Sequence, residues 1–476
     1  FLSGETNVCI KPSTLLMNKM SLGCCLRGIN PGWFVLLGGF LMEVSLGCMY
    51  LWGAIEGYVT SYLHSYDPSA TVQNTFVVIP LQLMCMNLCL PISDKLTKRF
   101  GVKKILFVGL TLFPISALLA SFMKSLWSFL LVYPVLAGIG SGLTYTIPMR
   151  CGWEYFPQRK GMVTGIIVAG FGVGPFFFNF FTQYLVNPEN VKANPETDLY
   201  EYGVYKKVPS MLRILALTWL AINLVAMVLI KPRPEDTVSR EPSTVAPSTS
   251  TTSTLAVLNL KSSVRTPQFA ILTTLGFLSL SFSLYLISRY KSIGASHNYN
   301  DMSITAIGAT ALFIDGVFSA FWGMLMDRLN SFRSTFAILL VSQMASIALI
   351  AFFDNVFVLY SLSIIVCLFC QGGHFALFPA ESAVVFGEIL GAKVYSFMYA
   401  GFSLAGLVGV LFDKVVQPVV GDRWMFLIFL MMNFIAVILL WGYDNNLDSR
   451  LRKMRSTLVS ETDSFEFDES AKLLKQ

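Results

Sequence analysis

Charge is what this sequence lacks most. Of its 476 residues only 13% are Asp, Glu, Lys or Arg, and 3 are His. Soluble domains carry about 25% charged residues. Phenylalanine, at 39 residues, outnumbers Lys and Arg together at 34. A soluble monomer of this composition has to expose apolar patches larger than such proteins tolerate, which excludes an ordinary soluble enzyme. A disordered chain is excluded as well, because disorder goes with high charge and low hydrophobicity. A disulfide framework is missing too. Cys48, Cys85, Cys89, Cys367 and Cys370 lie in apolar runs, where free cysteine behaves as a small hydrophobe. Cys367 and Cys370 form a CxxC, but a metal role needs a second ligand pair that the sequence does not supply. No Walker-type loop occurs, so ATP does not drive the protein directly. No cofactor, metal or nucleic-acid partner is expected. Residues 1–16 hold no continuous apolar run of the secretory-signal kind.

What is present is apolar sequence, 54% of the chain. A helix needs about 20 apolar residues to cross a bilayer. Runs of that kind fall near 33–55, 72–92, 105–123, 126–148, 161–186 and 211–230, then near 269–292, 304–326, 335–353, 356–378, 394–412 and 425–443. The fold class is therefore an all-α membrane protein with twelve transmembrane helices. Lys and Arg concentrate in short loops on the cytoplasmic side of such proteins. Lys95, Lys98, Arg99, Lys103 and Lys104 follow the second run, Arg159 and Lys160 the fourth, and Arg328 and Arg333 the eighth. The loops after the first and ninth runs have no Lys or Arg. Both termini are thus placed in the cytoplasm.

Residues 231–266 contain "EPSTVAPSTSTTST", a composition that cannot build a core and reads as a linker. The expected organisation is a cytoplasmic segment 1–32, six helices in 33–230, the linker 231–266, six helices in 267–443 and a cytoplasmic tail 444–476. The halves also echo each other. Gly142 and Pro148 of "GLTYTIPM" correspond to Gly373 and Pro379 of "GHFALFPA", and Ala169-Gly170-Phe171 to Ala400-Gly401-Phe402, all at one offset of 231 residues. Repeated halves are a mark of alternating-access transporters, whose site lies at mid-membrane between them.

An ionisable group at bilayer depth costs roughly 3 kcal/mol on insertion scales and is a functional candidate by default. Glu43 sits near the middle of the first run and Asp315 near the middle of the eighth. Each fits proton coupling, contact with a cationic group, or a structural hydrogen bond inside the bundle. His374, in the tenth run, has an ordinary pKa suited to a proton carrier; beside Gly372 and Gly373 it fits equally as a packing residue. Arg150 ends the fourth run, where it snorkels to the interface, pairs with Glu154 or contacts substrate. Arg289, at the end of the seventh run, reads as an interfacial anchor.

Twelve spans arranged as six plus six resemble the major facilitator superfamily. "GMLMDRLNSFR", with Gly323, Asp327 and Arg328, is similar to its loop motif, in which the carboxylate and arginines clamp neighbouring helices in one conformer. In the first-half copy, "SDKLTKRFGVKK", Lys98 stands where Asp is usual and Asp94 lies one turn away. Gly161, Gly170, Gly174 and Pro175 resemble the superfamily's antiporter motif, a set of small residues that lets helices approach closely. "GCMYLWG", "YFPQRKGMVTGIIVAGFGVG" and "GGHFALFPAESAVVFG" look like the oxalate/formate antiporter and monocarboxylate transporter branch. That resemblance implies a cavity lined by Tyr50, Trp52 and Tyr145. It also implies that Ser319 occupies the place of that branch's substrate-binding Arg, and span eleven lacks the branch's Lys, with Lys393 at its mouth. The implied site joins Tyr50, Trp52, Tyr145, Asp315 and Ser319 for substrate with Glu43, Asp315 and His374 for protons.

The expected function is secondary transport of a small organic anion, a mono- or dicarboxylate, by alternating access with proton coupling or exchange. A cationic, zwitterionic or neutral solute is the alternative suggested by the charges present, and a non-transporting sensor or scaffold is a third reading. An enzyme is not expected. Glu469, Leu473 and Leu474 resemble an acidic dileucine signal that a sorting adaptor would bind, which suggests an endolysosomal membrane beside the plasma membrane. Cys24 and Cys25 are candidates for palmitoylation.

Overall fold

A computed structural model describes residues 30–75, 77–189, 191, 193–194, 199–233 and 260–443. Most of the linker, the tail with Glu469, Leu473 and Leu474, and Cys24 and Cys25 lie outside the described residues. Among the described residues twelve long helices follow one another: α1 (Gly32–His64), α2 (Val78–Phe100), α3 (Val102–Ala120), α4 (Leu126–Tyr155), α5 (Lys160–Val186), α6 (Val208–Leu229), α7 (Pro267–Ser296), α8 (Asp301–Leu329), α9 (Phe332–Phe353), α10 (Phe357–Phe386), α11 (Glu388–Leu411) and α12 (Asp422–Trp441).

Several helices outrun the apolar segments that announce them. The apolar pattern sets the second span at 72–92, whereas α2 starts at Val78 and continues through Lys95, Lys98 and Arg99. Cations in a last helical turn complement the helix dipole, so charge there does not end the helix. Gly101 does, with φ +88°, a conformation that favours glycine. Two helices are interrupted. A 3₁₀ stretch, Gly47–Leu51, breaks α1 at mid-depth, and α4 restarts at Ile147 with Pro148 in its first turn. The repeat partner Pro379 lies inside an unbroken α10, so the repeated sequence is bent in one half and straight in the other.

The repeat is visible in the packing. In the first half α1 packs on α5 and α6, α2 on α4, α3 on α4 and α6. In the second half α7 packs on α11 and α12, α8 on α10, α9 on α10 and α12. These are the same five pairings shifted by six helices. The outer faces carry exposed Leu131, Leu217, Val341, Met431 and Ile438, as surfaces bathed in lipid do. Trp127, Trp424 and Trp441 are exposed near helix ends, where aromatic belts mark a membrane–water interface. The end of the bundle that holds the loops with Lys103, Arg159 and Arg333 is called the basic end below, and the opposite one the far end.

Candidate functional site

The site is built around α5, which touches both halves through backbone. Toward α1, a side chain at Gly170 would strike the Phe40 carbonyl and one at Gly174 the Val44 carbonyl. Toward α8, one at Gly161 would strike the carbonyl of Gly323, and one at Gly172 would meet the backbone of Gly316. Pro175 has no N–H, which leaves the Phe171 carbonyl without its helical donor; Gly47, in the break of α1, abuts that carbonyl. Glycine is required at these crossings because the backbones occupy the space a Cβ needs.

At mid-depth an aromatic cluster joins the halves. Tyr50 and Tyr145 meet the Phe171 ring edge-on at 5.4 and 6.3 Å, and Tyr145 reaches Tyr399 across the interface at 5.8 Å. Tyr395 lies 5.9 Å from Tyr399 and its hydroxyl is beside that of Tyr145. Glu43 is fully buried within electrostatic reach of Tyr145, Tyr395 and Tyr399, and neither of its carboxyl oxygens has a hydrogen-bond partner. Asp315 is 6% exposed, lies near Tyr50, and its Oδ1 has no partner. Gly372 of α10 is pressed against the Asp315 backbone. Next to it Gln371 is fully buried with neither amide atom satisfied. Buried polar groups are nearly always paired, so five unpaired oxygen and nitrogen atoms on two carboxyls and an amide, gathered around these tyrosines, mark a place for a ligand or protons.

Three expected site residues do not join this cluster. Ser319 donates its hydroxyl to Gly165 O at 2.9 Å and Gly316 O at 2.7 Å, inside the α5–α8 crossing. Its side chain is consumed by helix packing, so it does not line the central space. The Trp52 ring packs on Phe129 and Tyr133 at 5.7 and 5.8 Å within the first half, because the 3₁₀ break turns α1 before it. His374 engages Cys370 O at 2.9 Å through Nδ1 and Ser279 Oγ at 2.8 Å through Nε2, and its ring contacts Phe336 and Phe378. Both nitrogens are occupied inside the second half, which is the packing alternative.

The basic end is closed by polar links between the halves. Asp327 accepts from the Gly161 N–H at 2.9 Å and the Met162 N–H at 2.6 Å, capping α5 from α8. Arg328 is exposed. Lys160 pairs with Glu388 at 3.5 Å and donates to Ala383 O at 3.1 Å. Asp94 pairs with Lys393 at 3.0 Å across the interface and with Arg150 at 3.2 Å. Pairing with Glu154 was one of three readings open for Arg150. The nearer carboxylate is Asp94 of α2, while Glu154 accepts from the backbone of Arg233 at 3.1 Å. Further in, Asn87 hydrogen-bonds Ser403. Arg289, read as an anchor, forms an ion pair with Asp422 at 3.3 Å.

Sequence reasoning missed Tyr395, Tyr399 and Gln371. Their signals were present: Tyr395 and Tyr399 are one turn apart just before the repeated Ala-Gly-Phe, and Gln371 precedes the repeated glycines.

A family model described as "Major Facilitator Superfamily" matches residues 35–313. Among curated proteins, "Apicoplast pyruvate carrier 1" of Toxoplasma gondii is 24% identical over 88% of this chain and 90% of its own length. "Oxalate:formate antiporter" of Oxalobacter formigenes is 25% identical over 64% of this chain and 66% of its own length. Among solved structures, the proton:xylose symporter XylE superposes with a TM-score of 0.63 at 16% identity, covering 90% of this chain and 100% of that one.

Proposed function

The chain belongs to the Major Facilitator Superfamily, and from that premise we propose that it is a proton-coupled carrier of small carboxylates such as pyruvate. Its relatives are named for pyruvate and for oxalate and formate. The observation that carries the reading is the pair of unpartnered carboxyls, Glu43 and Asp315, facing tyrosine hydroxyls at mid-depth. A carboxylate substrate normally needs a cation. Here donors of another kind are at hand: Tyr50, Tyr145, Tyr395 and Tyr399 have O–H groups, and a protonated carboxyl donates as well. The proton on Asp315 or Glu43 thus both neutralises the site and holds the anion, which links proton and substrate movement. Moving both together avoids leaving a bare charge at bilayer depth.

In this reading the basic end faces the cytoplasm and is shut, so the structure is the state closed to the cytoplasm. The halves 33–230 and 267–443 rock about α5, and the site opens to either side in turn.

The test is counterflow of labelled pyruvate in proteoliposomes, with and without a pH gradient. Wild type accumulates pyruvate with the gradient. Asp315→Asn is expected to lose gradient-driven accumulation by about tenfold or more while keeping exchange. Accumulation that stays equally pH-driven in both Asp315→Asn and Glu43→Gln would sink the coupling. The same carboxyls also favour a second reading, a solute bearing an amine. Counterflow of a labelled amino acid with none of pyruvate, formate or oxalate would establish that instead.

A further inference from the structure

At the basic end three cations converge on one carboxylate. Asp94 on α2 holds Arg150 of α4 through Oδ1 at 3.2 Å and Lys393 of α11 through Oδ2 at 3.0 Å. Lys98, one turn along α2, lies against Lys393 and within electrostatic reach of Asp94 and Arg150. Glu154 of α4, which accepts from the Arg233 backbone N–H, also lies within electrostatic reach of Arg150, so three cations face two carboxylates. The cluster therefore carries an excess of positive charge where the two halves meet. Two buried atoms beside it have no hydrogen-bond partner: Nε of Arg150 and Oγ1 of Thr97, a residue only 4% exposed. Both are donors. They line a gap, shared with Ser93 and Ser396, of about 10 Å³, room for a single water.

We infer that Arg150, Lys393, Lys98 and Thr97 form a second anion site, for a carboxylate, at the mouth of the passage. While this end is shut, the carboxylate in it is that of Asp94. When the end opens, the substrate's carboxylate takes Arg150 and Lys393 over from Asp94. Arg150 offers a planar fork suited to a carboxylate, and Lys393 adds a point charge. The exchange has a mechanical result. The Asp94–Lys393 pair ties the first half to the second, so an anion that captures Lys393 also removes that tie. Arrival of substrate from this side and opening of this side become one event. The cations missing at mid-depth are thus found at the mouth of the passage.

This inference rests on the carboxylate reading above, and its test separates the two. The full chain, purified in detergent, is titrated with pyruvate, acetate and oxalate, and the apparent affinity is read from the rise in unfolding temperature. Asp94→Asn removes the internal competitor and is expected to tighten binding about tenfold, while Lys393→Gln weakens it about tenfold. Lys393→Arg keeps the charge and stays near wild type, which controls for folding. A plain latch predicts otherwise: both Asp94→Asn and Lys393→Gln cut the same bond and shift affinity in the same direction. A same-direction shift, or no shift in either, overturns the site. If the three anions fail in counterflow, the transport reading falls. Opposite shifts in the binding titration still support the anion site in that case.

Discussion

The two seams that join the halves are equivalents in the repeat, yet they are built from different materials. The first runs from α5 to α8 and α10, and the second from α11 to α2 and α4. On the first, Gly161 faces Gly323 and Gly172 faces Gly316, backbone against backbone. On the second, contact is made by side-chain tips: Tyr145 with Tyr399, Asn87 with Ser403, Asp94 with Lys393. Backbone contact through glycines is short-range and cannot lengthen without being lost, since dispersion falls steeply with distance. Side-chain pairs swing on their stems and re-form. The difference teaches that the pseudo-symmetry of the chain does not extend to the chemistry of its seams; in the rocking motion proposed above, the glycine crossings are the pivot and the side-chain pairs the latch.

The largest expected effect is on the pivot. Gly161→Leu puts a side chain into the Gly323 carbonyl; overpacking of this kind costs about 1–3 kcal/mol or more. Transport of the reconstituted variant should fall by about a hundredfold, with expression reduced. Normal transport by this variant would show that the seam opens during the cycle and is no pivot. Next comes Asp327→Asn, which keeps shape but removes the charge that caps α5. A charged acceptor on a helix N-terminus contributes about 0.3–2 kcal/mol, so closure of the basic end should weaken and the transport rate change by about three- to tenfold. A cysteine-accessibility assay at the basic end would report that opening. Asn87→Ala on the latch should change rate by about twofold or less. An effect as large as that of Gly161→Leu would erase the distinction between the seams. The smallest effect belongs to neither. Asp67, in the far-end loop after α1, accepts from Ser69 and from the Leu126 N–H at 2.9 Å, which holds its carboxyl down at about 2. Its contribution is complete above the unfolded value of about 3.9 and fades as pH falls through about 2. Thermal unfolding of wild type and Asp67→Asn should therefore differ slightly at pH 6 and converge near pH 2.

The spans were legible because lipid imposes a length and an apolar composition that no other environment demands together. Their ends were less so, since Lys95 and Lys98 look like loop residues until the dipole that accommodates them is considered. Glu43 and Asp315 stood out by cost, and the structure puts both at one depth beside tyrosines. Ser319 and His374 could not be placed from sequence. A small polar side chain has many partners within reach, and only the packing shows that Ser319 turns to Gly165 and His374 to Ser279. Asp94 with Lys393 was hidden for the same reason: each looked like an ordinary charge at a helix end, and only the meeting of α2 with α11 makes them one pair.

The glycine crossing of α5 and α8 has a further consequence for how the surroundings reach this protein. Away from the basic end, where Asp327 caps α5, it offers no charges to dissolved ions. Salt screens charged contacts over roughly 8 Å at physiological strength, and a seam of bare backbone has almost nothing to screen. Shifts in ionic strength act at the basic end, through Asp94, Lys393, Arg150 and Lys98 on the opposite flank and Asp327 on this one. The glycine contacts are deaf to electrolytes, and the charged contacts at the basic end are tunable by them.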